Sequence, residues 1–446
     1  MIEAQQRRAL PWFLAHVFLV TLFAFWTFGG SVFLLFLSEL GLPKGQIGVV
    51  LSLFPFSGVI ALGFAPVATR WGRKRVFLAC YGSRKVVIAL LLLLPWVVTA
   101  AGPTAGLIFL FVIIIVFALL RALAETAFYP WSQEFIPNRI RGKVAGLNTL
   151  LNTVAAGLAL AIAGQVIGGG TGSSRFLVLI AAGCGLGLLG VTLMVRVPGG
   201  APRPEPVADG VHWANMAQAL RDRNFIAFLS GSGCVTLGTM LFTSFLPLYV
   251  KERLGIAAGT VVRLDIVVMA GGALAALLLG WAADRFGSRP VLLFSAGLIL
   301  LVPLGWVLLP RQIPHVLAGC VALYFLNGVG GSGVAIAANR WLFNSVIPPQ
   351  HSTAYTAINY AWSGVTGGLA PLLAGALLST CGNWHTRMGF IVVDSHALLF
   401  LGAWVLLALG GWLYGRVRPD GAHTARSALS ELLVPALRRR LLQPWR

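Results

Sequence analysis

Residues 280–290 read GWAADRFGSRP, a group of charged residues and a proline between two long stretches that carry almost no charge. A partly altered version, APVATRWGRKR, occupies residues 65–75 in the same kind of surroundings. The two stretches share an Arg-aromatic-Gly core, RFG in one and RWG in the other. Their similarity indicates that the chain contains an internal repeat and that each stretch is a loop between two apolar segments.

The composition indicates that most of the chain faces lipid. Hydrophobic residues make up 58% of the 446 positions and charged residues 10%, against about 25% charged residues in an average soluble domain. A bilayer core of about 30 Å is crossed by about 20 apolar helical residues. We therefore predict an all-α integral membrane protein with twelve transmembrane helices, at about residues 12–37, 47–68, 76–99, 106–131, 143–169, 175–197, 224–250, 260–283, 290–309, 315–343, 355–380 and 389–415.

The net charge of +20 is explained by membrane topology. Lys and Arg are retained on the cytoplasmic side of a membrane, and with both termini on that side most of the 33 basic residues fall in cytoplasmic loops. This distribution argues against nucleic acid as a partner. The first apolar run is long enough to span, so we expect a transmembrane helix there rather than a cleaved signal peptide. Arginine supplies most of the basic residues, which favours a GC-rich bacterial source and the inner membrane.

The five cysteines are scattered singly along the chain, and most lie within predicted spans. Neither a disulfide framework nor a metal site is indicated, because no paired spacing of Cys or His occurs. We expect no metal and no cofactor. Most of the tryptophans fall near predicted span ends, where indoles settle at the membrane interface.

The repeat extends beyond the two loops. The pair LG at residues 40–41 recurs at 254–255, Ile136-Pro137 recurs at Ile347-Pro348, and GLALAIAG at 157–164 resembles GLAPLLAG at 368–375. The chain therefore reads as two pseudo-symmetric bundles of six helices, with a substrate cavity expected between them near the membrane midplane. The predicted parts are an N-terminal bundle at 1–197, a cytoplasmic linker with a short amphipathic segment at 198–223, a C-terminal bundle at 224–415 and a basic cytoplasmic tail at 416–446.

These features together resemble the major facilitator superfamily. That family carries a loop of the form G-x-L-A-D-R-x-G-R-R/K after its second helix and often again after its eighth. The second-half loop fits it at Asp284, Arg285, Gly287 and Arg289, and the first-half loop at Arg70, Gly72, Arg73 and Lys74. Thr69 stands where the aspartate is expected. A second signature, an acid followed by P-x-x-x-R-G-K/R, matches Glu134, Pro137, Arg141, Gly142 and Lys143.

The resemblance implies that these loops act as gates between conformations. Their charges can pair with the cytoplasmic ends of neighbouring helices, and such pairs must separate when the cavity opens inward. Each exposed pair contributes about 1 kcal/mol or less. Because Thr69 is not a carboxylate, Glu134 is the nearby acid left to hold Arg70 or Arg73. The alternative is that the charges only set the positive-inside topology.

Ionisable groups at membrane depth are costly unless they face protein or water, and this chain has few. Arg121 and Glu125 lie one helical turn apart on one face of the fourth predicted helix. They could be an internal ion pair that anchors the helix. Alternatively, Glu125 exchanges a proton, while Arg121 controls that exchange or meets an anionic group of the substrate. We expect Arg84 and Lys85 to snorkel to the cytoplasmic interface.

Two charged pairs, Arg263 with Asp265 and Asp394 with His396, lie near the outer ends of predicted spans. Water is close there, so interfacial pairing is the favoured interpretation over catalysis. A stripe of hydroxyl residues on the seventh predicted helix makes one polar face; it comprises Ser232, Thr236, Thr239 and Thr243.

In the resembled family the first, fourth, seventh and tenth helices line the cavity, which places this stripe there; helix–helix hydrogen bonding is the alternative. The same two interpretations apply to a further set of residues. These are Asn148, Asn152, Asn327 and Asn359, and Trp26 and Trp362, whose rings could stack on substrate or fill space.

The function predicted from this pattern is secondary active transport of a small, partly apolar solute by alternating access, coupled to protons. Efflux is slightly favoured, because charge within the spans is sparse and aromatic content is high. The alternatives are an uptake symporter for a small metabolite and a transporter-like membrane sensor without flux. An enzyme is not expected, since no nucleophile–base pair is evident. The expected partners are the solute, protons and the lipid bilayer, and a monomer is expected.

Overall fold

The computed structural model of the chain describes residues 2–136, 140–202, 216–310, 315–348, 352–382, 384–388 and 391–420, and these are mostly helical. The first seven helices precede residue 200. They are α1 Ile2–Thr27, α2 Gly30–Glu39, α3 Lys44–Trp71, α4 Arg73–Ala89, α5 Leu94–Phe135, α6 Arg141–Gly168 and α7 Ser174–Met194, with a 3₁₀ turn at Leu90–Leu93.

The remaining helices follow residue 216. They are α8 Arg223–Thr243, α9 Leu246–Glu252, α10 Ala258–Phe286, α11 Ser288–Leu308, α12 Val316–Trp341, α13 Ser352–Thr380 and α14 Ser395–Tyr414, with a π-helical turn at Leu342–Val346. Strands β1 His385–Met388 and β2 Ile391–Asp394 form an antiparallel hairpin in which His385 pairs with Asp394 and Met388 with Ile391.

About ten to twelve helices are long and apolar enough to cross a membrane. Ten candidate spans occur among the described residues, and one of them, Arg73–Phe135, contains 63 residues. Its backbone leaves the helical conformation at Gly102, where φ is 88°, and Pro103 follows. Because 63 residues of helix extend for roughly 95 Å, this candidate is long enough for more than one crossing. The number twelve and the cytoplasmic location of both termini stay predictions.

Three predicted spans differ from the structure, and one of them, at about 224–250, is broken between α8 and α9. The first, at about 12–37, is broken between α1 and α2, where Gly30 has φ 59°. The last was placed from residue 389, but α14 begins only at Ser395. The residues before it include a run of Ile391 and two valines, which favours a strand. Asp394 then starts the helix, because its side chain accepts a hydrogen bond from the Ala397 amide at 3.0 Å.

The repeat seen in the sequence has a counterpart in the backbone. Gly41 and Gly255, which end the two LG pairs, have φ of 78° and 69°. Gly72 and Gly287, in the two charged loops, both have φ of 92°. Side chains other than hydrogen resist this region, so each loop has a position that only glycine fills without strain. The division into two six-helix bundles stays a prediction.

The chain forms two compact units. One comprises Met1–Asp209, Thr243–Ile266 and Ser363–Trp384, and the other comprises Gly210–Phe242, Val267–Trp362 and His385–Arg446. Within the first unit, α3 touches α13 at Gly48 and α6 touches α10 at Gly164, in both cases so closely that a Cβ would collide with backbone. The core of the first unit near the first charged loop is aromatic and includes Phe77, Trp131 and Phe135.

The predicted linker and tail are described only in part. Residues 203–215 and 421–446 lie outside the described residues, and with them most of the amphipathic segment and of the basic tail. Residues 216–219 are helical. The beginning of the linker is not a free chain, because the Lys74 amide donates to the Gly200 carbonyl at 3.3 Å.

Candidate functional site

The charged pair predicted inside the fourth span forms in the structure. On α5, the Arg121 Nε donates to Glu125 Oε1 at 2.8 Å, and both lie between the Gly102 break and the helix end at Phe135. The side chains are only partly covered by protein, with 32% of Arg121 and 47% of Glu125 accessible. The protein therefore covers both side chains only in part, and Glu125 is the less covered of the two.

The interpretation of Arg84 and Lys85 as snorkelling residues is wrong. Their side chains are buried in the protein, with 3% and 0% of the residues exposed. The Arg84 guanidinium carbon lies 3.9 Å from the centre of the Tyr81 ring, and the Lys85 Nζ lies 3.1 Å from the same centre. Both cations turn inward because the ring faces offer an attractive electrostatic surface, which the sequence spacing alone did not reveal.

The amides and indole predicted on α1 and α6 form contacts between these helices. Thr21 Oγ1 donates to Asn152 Oδ1 at 2.6 Å, and Asn152 Nδ2 donates to the Asn148 carbonyl at 3.0 Å. Trp26 Nε1 donates to the Ala159 carbonyl at 2.9 Å, and Trp26 is buried. The helix–helix alternative thus describes the observed contacts of Trp26 and Asn152.

In the second compact unit, Trp362 of α13 donates from Nε1 to the Leu229 carbonyl of α8 at 2.7 Å. A Cβ on Gly233 would collide with this indole, so the glycine makes room for it. Trp362 still exposes 38% of its surface. Asn327 has a buried Oδ1 without a hydrogen-bond partner.

The hydroxyl stripe is half-buried along α8. Thr236, Thr239 and Thr243 are all of intermediate exposure, as is Asn359 on α13. Thr243 is the last residue of α8. Neither of the two interpretations of the stripe is decided by this degree of burial.

The first-half loop is held by Glu134 at the end of α5. Arg73 Nη1 donates to Glu134 Oε1 at 2.9 Å, and the Gly200 amide donates to Glu134 Oε2 at 2.7 Å. Of the two candidates for Glu134, Arg73 is therefore its partner, and Arg70 is exposed. Trp131 Nε1 donates to the Pro198 carbonyl at 3.0 Å. Arg141 and Thr69 were part of the prediction, but their side chains lie outside the described residues.

The second-half loop is held by different groups. Arg340, at the end of α12, donates to Asp284 Oδ1 at 3.1 Å and to Asp420 Oδ2 at 2.8 Å. Asp420 also accepts from the Ser288 amide at 2.9 Å. Asp284 exposes 80% of its side chain, whereas Asp420 exposes 3%.

Two other predicted loop residues, Arg285 and Arg289, make further contacts. The Arg285 guanidinium carbon lies 5.6 Å from the centre of the Trp281 ring, and Arg289 donates from Nη2 to the Gly415 carbonyl. Trp341 Nε1 donates to the Arg418 carbonyl at 2.9 Å. Trp341 and Trp131 are fully buried, which corrects their interpretation as residues of the membrane interface.

The predicted pairs near the outer ends do not form as expected. Arg263 donates to Gln165 Oε1 at 3.1 Å, whereas Asp265 Oδ2 accepts from the Ser31 amide at the start of α2 at 3.2 Å. The two residues are separated because a helix start offers unpaired amides to a carboxylate. Asp394 and His396 are each only 1% exposed, so both are buried rather than interfacial.

The first compact unit carries ion pairs near the α2–α3 turn. Lys44 pairs with Glu252 at 2.7 Å, and Glu39 pairs with Arg175 and Lys251, each at 3.4 Å. A cavity of about 570 Å³ lies beside this turn and the start of α5, with Glu39, Gln46 and Thr99 among its lining residues. None of the predicted substrate residues lines it.

Within the described parts of the chain, no three His, Cys, Asp or Glu side chains are grouped closely enough to hold a metal ion. The cysteines are all free thiols.

Sequence reasoning missed three of the groups that hold the loops: Arg340, Asp420 and the buried pair Trp131 and Trp341. The tryptophans carried a usable signal, because they occupy comparable places before the Ile-Pro pairs of the repeat. Asp420 carried none, since it is a single acid after the last predicted span.

The fold and these contacts define a polytopic helical membrane protein with a charged pair in its first half and a tethered loop in each half. A family model described as Major Facilitator Superfamily matches residues 14–310 and 264–445. The chain belongs to the Major Facilitator Superfamily, and its fold is that of membrane transporters.

Individual relatives are distant. The probable galactarate/D-glucarate transporter GudP of Escherichia coli (strain K12) is 24% identical over 208 residues, which are 44% of this chain and 44% of the relative. The chain spans less than half the length of the curated relatives it matches.

Solved structures cover more of the chain. A mutant of the nucleoside transporter NupG has a TM-score of 0.70 at 12% identity, over 94% of this chain and 100% of the other. A D-xylose-proton symporter has a TM-score of 0.66 at 16% identity, over 92% of this chain and 97% of the other. At such identities the likeness shows the fold alone.

Proposed function

We propose that this protein is a proton-coupled secondary transporter that moves a small, partly apolar solute by alternating access. The observation that carries the proposal is the pair of Arg121 and Glu125, joined at 2.8 Å within a membrane-spanning helix while 47% of the Glu125 side chain stays accessible. A carboxylate that binds and releases a proton in each cycle must be reachable.

Coupling follows from competition for Arg121. With Arg121 bound to Glu125, the carboxylate has an ion-pair partner. A solute that engages Arg121 would leave Glu125 without this partner and thereby favour its proton-bound form. Solute and proton are thereby linked through one residue.

Direction and setting belong to the same proposal. Efflux is slightly favoured by the aromatic surroundings and the sparse charge of the spans. Uptake by symport is the second candidate, and it is supported by the likeness to a structure described as a D-xylose-proton symporter. We further propose that the protein is a monomer of the bacterial inner membrane, with two six-helix bundles and both termini in the cytoplasm.

The remaining predicted residues are proposed in two roles. The two tethered loops act as gates whose ion pairs bias one conformation over the other, at about 1 kcal/mol for each exposed pair. The half-buried polar residues Thr236, Thr239, Thr243, Asn327 and Asn359 line the path of the solute. Asn148, Asn152, Trp26 and Trp362 position the helices that form that path.

The test is transport by the purified protein in liposomes under an imposed proton gradient, with a panel that includes xylose, nucleosides and sugar acids. Glu125→Gln is expected to abolish accumulation against a gradient while solute binding and exchange persist. Glu252→Gln, which removes an acid from an outer ion pair, is the matched control and should accumulate solute normally.

Two results would contradict this proposal. If Glu125→Gln accumulates solute at the wild-type rate, Glu125 does not carry the proton. If Arg121→Ala and Glu125→Gln each destabilise the protein and their combination restores both stability and accumulation, the pair is structural. Binding of solutes without any flux would instead favour the membrane sensor.

A further inference from the structure

The interior of the first half holds more positive than negative charge. Arg84 and Arg121 supply two cations, and Glu125 is the carboxylate beside them. The other described acids of this half, Glu39 and Glu134, lie at helix ends and are engaged by other basic groups. An unbalanced charge at membrane depth is costly, and an additional anion would balance it.

Arg84 and Lys85 have buried hydrogen-bond donors. The Nε and Nη1 of Arg84 and the Nζ of Lys85 are buried and have no hydrogen-bond partner. Stacking on the Tyr81 ring offsets part of the cost of burying these charges, but it does not satisfy N–H groups that lie in the plane of a guanidinium. Leaving such buried donors unsatisfied destabilises the protein.

Arg84 and Arg121 border the same aromatic ring. Their guanidinium carbons lie 6.0 Å and 5.7 Å from the centre of the Phe28 ring. Phe28 in turn contacts Phe117 at 4.9 Å and Phe54 at 5.8 Å between ring centres. The two cations therefore stand at the edge of an apolar aromatic surface.

Two of the described helices of the second half differ from this arrangement: α8 after Arg223 and α13 throughout carry no charged side chain. Neither of these two helices offers a cation to a charged group of the solute.

We propose that the solute is an organic anion, with Arg84 and Arg121 holding its oxyanion group and the half-buried rings of Phe28 and Phe54 receiving an apolar portion. This inference rests on the proposed transport function and names its substrate class. A carboxylate and a phosphate ester both match the planar fork of a guanidinium. The oxyanion supplies the missing negative charge and accepts from the unsatisfied N–H groups of Arg84.

The experiment measures binding by the shift in unfolding temperature of the purified full chain in detergent. The probes are benzoate and phenyl phosphate, with benzyl alcohol as the neutral counterpart, and D-glucarate, with D-glucitol as the neutral counterpart. We expect one or both aromatic anions to stabilise the protein at concentrations about tenfold or more below those required of benzyl alcohol. The two aromatic anions distinguish a carboxylate site from a phosphate site. D-glucarate, which lacks the apolar portion, should stabilise more weakly.

Variants assign the effect to the two arginines. Arg84→Gln and Arg121→Gln should each weaken the response to the preferred anion by about tenfold or more, whereas Arg223→Gln, at the exposed start of α8, should leave it unchanged. Arg84→Lys keeps the charge without the fork and should give an intermediate response, which provides a readout if Arg84→Gln does not fold.

The inference is overturned if no anion of the panel stabilises the protein, if the neutral counterparts stabilise it equally, or if Arg84→Lys and Arg121→Gln both respond as the wild type does. Because this assay needs no gradient, its outcome is separate from that of the transport test. A chain that binds anions without accumulating them contradicts only the proposed function.

Discussion

Ion pairs hold both charged loops, but the acid and the base occupy opposite positions in the two halves. In the first half the acid, Glu134, lies at the end of α5 and the base, Arg73, at the start of α4. In the second half the base, Arg340, lies at the end of α12, and its buried acid, Asp420, follows α14.

In both halves a buried tryptophan donates to a carbonyl of the segment that follows the last helix, from Trp131 to Pro198 and from Trp341 to Arg418. In both halves these contacts connect three elements: the charged loop, a helix end and the segment that follows the last helix. We call each set of contacts a bridge: the first contains Arg73, Glu134 and Trp131, and the second contains Arg340, Asp420 and Trp341. The acid and the base can exchange places within the bridge, because the attraction between them is the same whichever element carries the acid.

The largest effect is expected where the bridge is buried. Arg340→Met would leave Asp420, which is only 3% exposed, with backbone amides as its described partners. Removing one partner of a buried ion pair costs about 3–5 kcal/mol, so we expect a loss in this range in the denaturant-induced unfolding of the purified protein. Adding Asp420→Asn should recover part of the loss. If Arg340→Met unfolds like the wild type, the second bridge is not a buried ion pair.

The next effect compares the two loop glycines. Gly72 and Gly287 both have φ of 92°, so Gly72→Ala and Gly287→Ala should each cost about 1–3 kcal/mol through backbone strain. Gly280→Ala is the control, since a Cβ there meets nothing within 4 Å. Thermal unfolding of the three variants measures this effect, and clearly unequal losses for the two loops would count against their equivalence.

A smaller effect is expected in the first bridge. Glu134 and Arg73 expose 18% and 15% of their side chains, and Glu134→Gln keeps an acceptor for the Gly200 amide. We expect a loss of about 1 kcal/mol, which is the usual net contribution of one hydrogen bond. Glu134→Ala, which removes both contacts, should cost about twice as much. Limited proteolysis of the linker provides a second measurement, because only Glu134→Ala removes the acceptor of the Gly200 amide and leaves Gly200 with the Lys74 amide alone.

The smallest effect on stability is expected from replacing Asp284 of the second loop by threonine, the residue at the equivalent position of the first loop. Asp284→Thr removes the carboxylate that Thr69 also lacks. Because Asp284 is 80% exposed and Arg340 retains Asp420, the change should cost less than about 1 kcal/mol. A drop in unfolding temperature as large as that of Arg340→Met would show that the exposed acid, rather than the buried one, holds the loop.

Much of the fold could be predicted from the sequence, because long apolar runs indicate membrane-spanning helices and the glycines of the repeated loops indicate turns. Gly72 and Gly287 illustrate this: the repeat placed them in equivalent loops, and their backbones agree. The break between α1 and α2 was missed because the residues around it are mostly apolar, although the Gly29-Gly30 pair at the break is a turn signal. The hairpin before α14 was missed because a short β-branched run beside a helix is read as part of the helix.

The candidate site was predicted less completely. The Arg121–Glu125 pair follows from helical spacing alone. The burial of Arg84 and Lys85 does not, because it depends on Tyr81 and on rings from other helices that sequence distance does not bring together. Asp420 shows the same limit, since its partners come from α11 and α12 and no local pattern marks it.

The glycine contacts within the first compact unit have a consequence for synthesis of the chain. Gly48 and Gly164 meet Pro371 and Gly259 without room for a Cβ, yet these partners are translated long after the first seven helices. Until they arrive, α3 and α6 present grooves of exposed backbone to the lipid, where small-residue surfaces favour association with other helices. We expect a nascent chain that ends before residue 243 to be captured by insertion chaperones or degraded, and to be released only when α10 and α13 fill the two grooves.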